Sequence, residues 1–486
     1  MKPVTILIDH RGDRGLAVDE IKYTFRTLLN IVGLPCHFTH DPHKDIDIHY
    51  GKTCPAHFRF FIEKAQVKTE TLKFPLKAIK ENDYVFLLFD KEQERGRVLI
   101  QNPASTYVGN DIILSAYLLL SGWLEKIIPR DRRDRHLLRG SFGYQNRLLH
   151  NPVVNHYAEI LRVAFCRSHD PMPLWPGNKK YAVALSHDVD YPEMIRWIEC
   201  LRYIGTYRGR SRLSRVIDIL KGRESFWRFE DWMKLEKHYG MKSAIYFCGF
   251  KGNLFRYFLK APDPFYDIRK SKYQCLFRSL VESGFEVGLH NSYWAYRNKD
   301  QMRREKERVE ATLGRPVSGN RHHYWHMDPD RPSETAKIHH QIGLLYDTSI
   351  CFGLRAGFRF GICSPFHLYD PVDKQAIPVL QIPTCLMDDH FFKYFKLSYF
   401  DSPRCEADAL IESSRKHGGV FLADYHIRVF NSTFFPGWVE SYKYLLNRIT
   451  ETSDYYSDTP IQIARHWTQR EERILRESND EAGPFH

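Results

Sequence analysis

Hydrophobic and polar positions alternate in a regular way from about residue 178 onward. Apolar residues at helical spacing run up to a glycine, and a short apolar run follows, as in FEDWMKLEKHYG before SAIYFCG, SKYQCLFRSLVESG before FEVGLH and CEADALIESSRKHGG before VFLADYH. A glycine just past a helix supplies its left-handed last residue, and short apolar runs between such helices are typical of strands. About six or seven such units in roughly 290 residues predict an α/β fold of barrel type.

The first part of the chain has a different pattern. VTILID and YVFLLFD predict strands, AVDEIKYTFRTLLNIVG predicts a helix that ends at Gly33, and DIILSAYLLLSGWLEKII predicts one long, largely buried helix. PMPLWPGN holds three prolines and a glycine, which favours an extended connection. We therefore expect a smaller N-terminal α/β domain over 1–172, the barrel over 178–465 and a charged C-terminal tail over 466–486.

Composition narrows the class of protein. With 43% hydrophobic residues over 486 positions, the chain is expected to be globular and to have material for two cores. The ten cysteines show no CxxC spacing, and most of them are expected to be small buried hydrophobes. The N-terminus resembles no secretory signal and no apolar run is long enough to span a bilayer, so a cytoplasmic location is expected.

The net charge of the chain is only a weak indication of its binding partner. The net charge of +12 suits an anionic partner, but no zinc-finger spacing or RNA-binding motif favours nucleic acid. The run RDRRDRHLLRGSFG, over 130–143, is typical of a solvated loop and also fits a polyanion contact. The Arg- and Gly-rich stretch 203–228 does not fit the alternation and is interpreted as an insertion over one edge. Nothing indicates the oligomeric state.

Several apolar runs end on residues that carry chemistry. Asp188 and Asp190 follow AVALSH, His290 follows FEVGL, and His426 follows VFLADY. Because the C-terminal ends of parallel strands meet at one edge, these side chains are expected to converge there. Two carboxylates two positions apart suit a metal ligand and a general base, although a turn and a helix cap are also typical of that pattern.

A further cluster lies in the segment GNRHHYWH. It offers Arg321, His322, His323 and His326 close together after a predicted helix end. Such a segment is often a polar, aromatic surface loop. A histidine here would also be able to complete a metal site, and the planar guanidinium of Arg321 would be able to hold a carboxylate in place.

In this order the residues resemble the polysaccharide deacetylases of carbohydrate esterase family 4, over about 178–465. The N-terminal part resembles an uncharacterised domain that precedes this catalytic domain in a bacterial subgroup. The resemblance implies a distorted (β/α) barrel with a divalent metal, usually zinc, that removes acetyl groups from N-acetylated sugars. It also implies the roles of five residues: catalytic base Asp188, metal carboxylate Asp190, first metal histidine His290, base-steadying Arg321 and catalytic acid His426.

The sequence departs from the family at two places. Trp294 stands where the second metal histidine is usual, and its indole cannot ligate a metal through a lone pair. We expect His323 to take that role, with His322 and His326 as alternatives. Asp424 begins the last motif where the family commonly shows leucine.

Two further segments, around Arg359 and Asp388, also look like the subgroup. Asp388 is expected to orient the catalytic histidine as a hydrogen-bond partner outside the reacting groups. Their roles follow from the resemblance alone.

These observations predict a metal-dependent hydrolase that deacetylates an amino-sugar carbohydrate, in bacterial surface polysaccharide or glycan-precursor biosynthesis. The expected partner is an N-acetylated carbohydrate or its nucleotide- or lipid-linked precursor. The alternative is a catalytically impaired protein of the same fold that binds carbohydrate or acts as a scaffold.

Overall fold

The computed structural model describes residues 1–9, 15–42, 44–72, 75–94, 97–102, 104–126, 128–131, 135–206, 212–253 and 263–477. Within these residues the strands are β1 Val4–Ile8, β2 Cys36–Thr39, β3 Ile48–Gly51, β4 Phe60–Glu63, β5 Lys77–Glu81, β6 Tyr84–Leu88, β7 Leu99–Gln101, β8 Thr106–Val108, β9 Tyr181–Val189, β10 Ser243–Cys248, β11 Glu286–Asn291, β12 Gly319–His322, β13 Tyr346–Asp347, β14 Phe366–Asp370, β15 Gln375–Gln381, β16 Leu386–Met387, β17 Val420–Asp424 and β18 Tyr455–Ser457. The helices are α1 Val18–Val32, α2 Ile112–Leu120, α3 Phe142–Gln145, α4 Val153–Phe165, α5 Arg196–Thr206, α6 Arg212–Leu220, α7 Phe229–His238, α8 Ser271–Glu282, α9 Lys299–Leu313, α10 Pro332–Gln341, α11 Asp388–Phe392, α12 Pro403–Lys416, α13 Trp438–Thr450 and α14 Pro460–Arg476.

The N-terminal part forms a six-stranded sheet in the order β2-β1-β3-β4-β8-β7, parallel except between β7 and β8. The predicted strands β1 and β6 and the helix α1 are confirmed. Helix α1 ends where Gly33 takes a φ of +96° and donates its N–H to the Leu29 carbonyl at 2.8 Å. Among the described residues, strand β6 pairs only with β5. The two strands are joined by a tight turn at Asn82 and Asp83, both at positive φ as a two-residue hairpin requires.

The prediction of one long helix after Asp111 is wrong. Helix α2 ends at Leu120, and Gly122 adopts a left-handed φ of +70° before a short 3-10 turn over Trp123–Glu125. A Cβ at Gly122 would lie 2.9 Å from the ring of Phe360, so the chain turns where a distant aromatic side chain packs against its backbone.

The larger sheet has ten strands and carries the alternation seen in the sequence. Its order is β14-β15-β13-β12-β11-β10-β9-β17-β16, with β18 also paired to β9, and all pairs are parallel except β14 with β15. The mixed α/β fold therefore contains a curled half-barrel sheet whose edges are β14 and β16. All nine positions of β9 are buried, as expected of a central parallel strand.

The segment between the two sheets contacts both parts of the chain, and on the N-terminal side Met172 donates its N–H to the Gly33 carbonyl at 2.9 Å. Trp175 is buried, donates its indole N–H to the Gly418 carbonyl at 2.9 Å and packs 5.4 Å from the ring of Trp467 in α14. The predicted tail over 466–486 begins inside α14, and residues 478–486 lie outside the described residues. One apolar cluster runs continuously across both parts of the chain.

Arg359 also contributes to this junction. Its guanidinium donates to both carboxylate oxygens of Glu125, at 2.7–3.1 Å, and both side chains are buried. Burial alone would raise the pKa of the Glu125 carboxyl, but the charge and hydrogen bonds of Arg359, together with His136 and Arg130, outweigh it and lower that pKa. Arg359 thus ties the N-terminal part to the half-barrel.

The stretch 203–228 interrupts the alternation as expected. It holds the end of α5, all of α6 and the approach to α7, while residues 207–211 lie outside the described residues. No described helix is both long and apolar enough to cross a membrane.

Candidate active site

The carboxyl ends of neighbouring strands bring the predicted side chains to one edge of the half-barrel. His290 in β11 lies opposite Arg321 in β12, and Asp424 in β17 lies opposite Ser186 in β9. Asp188 belongs to the end of β9, and Asp190 follows it directly. Parallel register therefore places residues more than 200 positions apart around one point.

A buried cluster of possible metal ligands forms there. Oδ1 of Asp190 lies 3.5 Å from Nε2 of His290 and 3.6 Å from Nε2 of His323, and the ligand atoms of all three residues lie within 4.8 Å of one another. All three side chains are buried. The sequence named these three residues as the metal set.

The chemistry of this cluster fits a divalent ion. Oδ1 of Asp190 and Nε2 of His290 are buried atoms with no hydrogen-bond partner among the described residues, which is costly for a polar group left without a ligand. One carboxylate and two imidazoles are a usual donor set for zinc with a position left open. Burial favours the neutral form of Asp190, but the neighbouring imidazoles of His323, His426 and His290 together outweigh it and hold the pKa of that carboxyl well below its usual range.

Neighbouring groups orient the two histidines. His290 donates from Nδ1 to the Arg321 carbonyl at 3.0 Å, which leaves Nε2 for a ligand. Nδ1 of His323 lies 3.5 Å from Oδ1 of Asp263, and the same oxygen accepts the N–H of Tyr293 at 2.6 Å. Sequence reasoning missed Asp263, because it belongs to no motif.

The other residues considered for the third metal position, Trp294, His322 and His326, lie outside this cluster. Trp294 is half exposed and lies outside the cluster. Nε2 of His322 lies 2.8 Å from Nε2 of His339, and His326 contacts the Tyr293 carbonyl through Nδ1 at 3.0 Å. Of the three histidines in GNRHHYWH, only His323 joins the cluster of Asp190 and His290.

A short turn presents His323. The turn His323–Trp325 follows β12 at once, and both Tyr324 and Trp325 have a φ of +60°. Bulky residues in the left-handed region are strained, and such strain is typical of functional sites. The strained turn carries His323 back over the end of the strand.

Arg321 lies between two buried carboxylates. Its Nη1 donates to Asp188 Oδ1 at 3.0 Å and also to Asp424 Oδ1, while Nε donates to the Thr348 hydroxyl at 3.0 Å. Burial and the nearby charge of Asp188 raise the pKa of Asp424 to about 8, although Arg321 opposes the shift. Near neutral pH Asp424 is therefore mostly protonated.

His426 completes the second cluster with Asp188 and Asp424. Nδ1 of His426 donates to both oxygens of Asp388 at 3.0 Å, and Nε2 lies 3.3 Å from Oδ2 of Asp190. Burial favours the neutral imidazole, but the charges of Asp388 and Asp190 outweigh it and raise the pKa of His426 well above its usual value. Because the Arg321 cation already bonds both carboxylates, this cluster suits proton transfer better than metal binding.

The two clusters lie at a cavity of about 510 Å³, a usual size for a ligand site. Asp188, Asp190, His323 and His426 line it. Arg135, from the basic run of the N-terminal part, lines it too and donates to the Tyr394 hydroxyl at 2.6 Å. Residues 132–134 of that run lie outside the described residues, so its role as a loop or a polyanion contact stays a prediction.

Further cationic side chains line the cavity. They are Arg202, Lys393 and Arg428. Lys393 pairs with Asp389 at 2.7 Å, whereas Nη1 of Arg428 lies 3.8 Å from Oδ2 of Asp190 and its Nε has no hydrogen-bond partner among the described residues. Glu193, Glu199 and Asp389 line the cavity too, so positive and negative side chains lie together beside the candidate metal site.

Comparison with known proteins gives one family match. Residues 16–169 match the model of a family of unknown function, DUF7033. No curated protein matches the chain.

The solved structures similar to this one include polysaccharide deacetylases. A protein from Mycobacterium smegmatis assigned as a polysaccharide deacetylase is 18% identical with a TM-score of 0.40, and the match covers 61% of this chain and 93% of that one. A probable polysaccharide deacetylase from Pseudomonas aeruginosa PAO1 is 16% identical with a TM-score of 0.39, covering 62% and 95%. BA3943 from Bacillus anthracis, a CE4 family pseudoenzyme, is 13% identical with a TM-score of 0.28, covering 59% and 66%. These likenesses are distant.

Proposed function

We propose that the protein is a metal-dependent hydrolase that removes the N-acetyl group from an amino-sugar carbohydrate. The observation that carries the proposal is the buried set Asp190, His290 and His323, with unpartnered ligand atoms, directly beside Asp188 and the His426–Asp388 pair. Hydrolysis of an amide needs a polarised carbonyl, a base for water and an acid for the departing nitrogen. Candidates for all three roles border one cavity.

Asp190, His290 and His323 would hold the metal, zinc being the ion that this donor set suits best. When bound, it would supply Lewis-acid chemistry at the acetyl carbonyl and its water. Asp188, held by Arg321 through one carboxylate oxygen, keeps its other oxygen to accept the proton of the attacking water. His426, kept protonated by Asp388, donates the Nε2 proton to the amine that leaves.

The proposal has finer parts that the sequence supports. They are a distorted (β/α) barrel of the deacetylase type over 178–465, an N-terminal domain over 1–172, a nucleotide- or lipid-linked glycan precursor as substrate, and a cytoplasmic location. The positive side chains of the cavity suit a phosphate-bearing substrate.

The test combines metal content with turnover. Purified protein loaded with zinc is expected to retain about one ion after dialysis and to release acetate from short N-acetylglucosamine oligomers, and Asp188→Asn is expected to retain the ion but lose turnover. Zinc retention without acetate release from any N-acetylated sugar would favour the carbohydrate-binding alternative. Absence of a retained ion would contradict the proposed metal site.

A further inference from the structure

Helices α5 and α6, which interrupt the alternation of the half-barrel, expose large apolar side chains. Trp197, Leu201 and Leu213 are 60%, 63% and 74% exposed. These two helices pack against each other. Six exposed apolar side chains lie on the pair: Trp197, Leu201, Ile204, Leu213, Ile217 and Leu220.

The exposed residues follow helical spacing. On α5 they stand at 197, 201 and 204, and on α6 at 213, 217 and 220, which is the same spacing of four and then three residues. Residues so spaced form one stripe along a helix. The buried positions Cys200, Tyr203 and Ile219 account for packing on the protein, so each stripe is an additional apolar face.

Positive charge surrounds these stripes. The described residues 196–206 and 212–223 contain six Arg or Lys residues and two Asp or Glu residues. Three of the cations are paired: Arg223 with Asp218 at 2.9 Å, Arg215 with Glu224 at 3.5 Å, and Arg202 with Glu199 at 3.6 Å. Exposed ion pairs of this kind contribute little to stability and are screened by salt. The excess of positive charge on this stretch therefore remains available to a large anionic surface.

We propose that α5 and α6 dock the protein on an anionic lipid bilayer. Apolar stripes that include a tryptophan, flanked by arginine, are the pattern of helices that lie in the plane of a membrane interface. With 11 and 9 residues, neither helix reaches the length of a membrane span. The apolar faces enter the interface while the cations contact lipid phosphates.

The docking surface adjoins the cavity. Ile195, Ile198 and Glu199, at the start of α5, line the cavity that Asp188 and Asp190 also line. If the proposed function holds, this placement indicates that the substrate is an amino sugar on a lipid anchor, since the sugar would reach the site from the membrane surface. Docking itself is independent of turnover.

The experiment is co-sedimentation of the full chain with vesicles. Vesicles of phosphatidylcholine with phosphatidylglycerol are compared with vesicles of phosphatidylcholine alone. We expect at least tenfold tighter binding to the anionic vesicles, and a fall in that affinity as salt is raised.

Matched variants locate the contact. Leu201→Ser with Leu213→Ser is expected to weaken binding at least tenfold, because two leucine side chains no longer leave water. The control is Leu345→Ser with Val372→Ser, since these side chains are similarly exposed elsewhere, at 51% and 65%. Both double variants are expected to keep the melting temperature and the acetate release from a short soluble substrate.

Three outcomes would overturn the docking proposal. The first is no sedimentation with anionic vesicles at low salt, and the second is equal weakening of vesicle binding by both double variants. The third is a protein that binds no vesicles but forms a dimer in sedimentation velocity, where Leu201→Ser with Leu213→Ser dissociates that dimer. The last outcome would assign the stripes to a second copy of the chain. Vesicle binding by a protein that releases no acetate would contradict only the proposed function.

Discussion

The carboxylate of Asp388 lies against the imidazole of His426, with both oxygens 3.0 Å from Nδ1 and one of them also accepting the His426 backbone N–H at 2.8 Å. The strand end that carries His426 and the start of α11 that carries Asp388 are thereby fixed to each other. Because Nδ1 bonds Asp388, Nε2 is the ring nitrogen left to face the cavity. The pair has the geometry of a general acid with its orienting carboxylate.

Asp388→Asn is expected to lower kcat about 10- to 100-fold, as loss of an orienting partner usually does. The Asp388 charge raises the pKa of His426, so its removal lowers that pKa. The protonated acid is then lost at lower pH, and the alkaline limb of the pH profile of kcat moves to lower pH.

The control for this prediction is Asp389→Asn. Its carboxylate pairs with Lys393 at 2.7 Å. We expect its alkaline limb to stay in place. An unmoved limb in Asp388→Asn would remove His426 from the role of acid.

Asp188 and Asp424 share Nη1 of Arg321 and form a matched pair for substitution. Burial and the Asp188 charge raise the pKa of Asp424 to about 8, so asparagine there resembles the form present at pH 7. Asp424→Asn is expected to keep kcat within about tenfold, whereas Asp188→Asn is expected to lose about 10²- to 10⁴-fold as a missing general base does. Equal losses in the two variants would mean that Asp188 acts only through the buried ion network.

The identity of the third ligand can be tested by metal content. His323→Ala is expected to lose zinc on dialysis, because only His323 of its loop lies with Asp190 and His290. His326→Ala and Trp294→Phe are expected to retain it. The measurement is metal per chain by mass spectrometry, and retention in His323→Ala with loss in His326→Ala would exchange their roles.

Local signals predicted the helix ends of the half-barrel well. Gly284, Gly314 and Gly343 follow α8, α9 and α10 at positive φ, so a single residue type marks each end. The end of α2 at Gly122 was not predictable in this way, because the side chain that packs there belongs to Phe360. Most N-terminal strands have only three to five residues, too few for a clear alternation.

In the candidate site too, some residues were predictable from the sequence and others were not. Asp190, His290 and His426 were predictable because strand ends and a known motif order indicate them, whereas His323 was one of three candidate histidines in its segment. Asp263 was not, since its contact with His323 joins residues 60 positions apart and no motif includes it. Nor does the sequence show that Asp424 shares Arg321 with Asp188, which depends on the register of β17 against β9.

The last prediction concerns Glu286, a buried carboxyl at the start of β11. It accepts the Tyr346 hydroxyl at 2.7 Å and the Ile461 N–H at 3.0 Å, and burial outweighs these bonds and raises its pKa to about 7. The folded protein therefore holds a proton between pH 4.5 and 7 that the unfolded chain has lost, so stability falls as pH rises through this window.

Glu286→Gln removes this titration. Relative to the variant, the wild-type free energy of unfolding is expected to fall by about 3 kcal/mol between pH 5 and pH 8, the equivalent of a shift of two to three pKa units. Urea unfolding at the two pH values measures it, with the exposed Glu282→Gln as the control that should follow the wild type. If Glu286→Gln also follows the wild type, Glu286 is already ionised at pH 5 and the buried bonds to Tyr346 and Ile461 stabilise its charge.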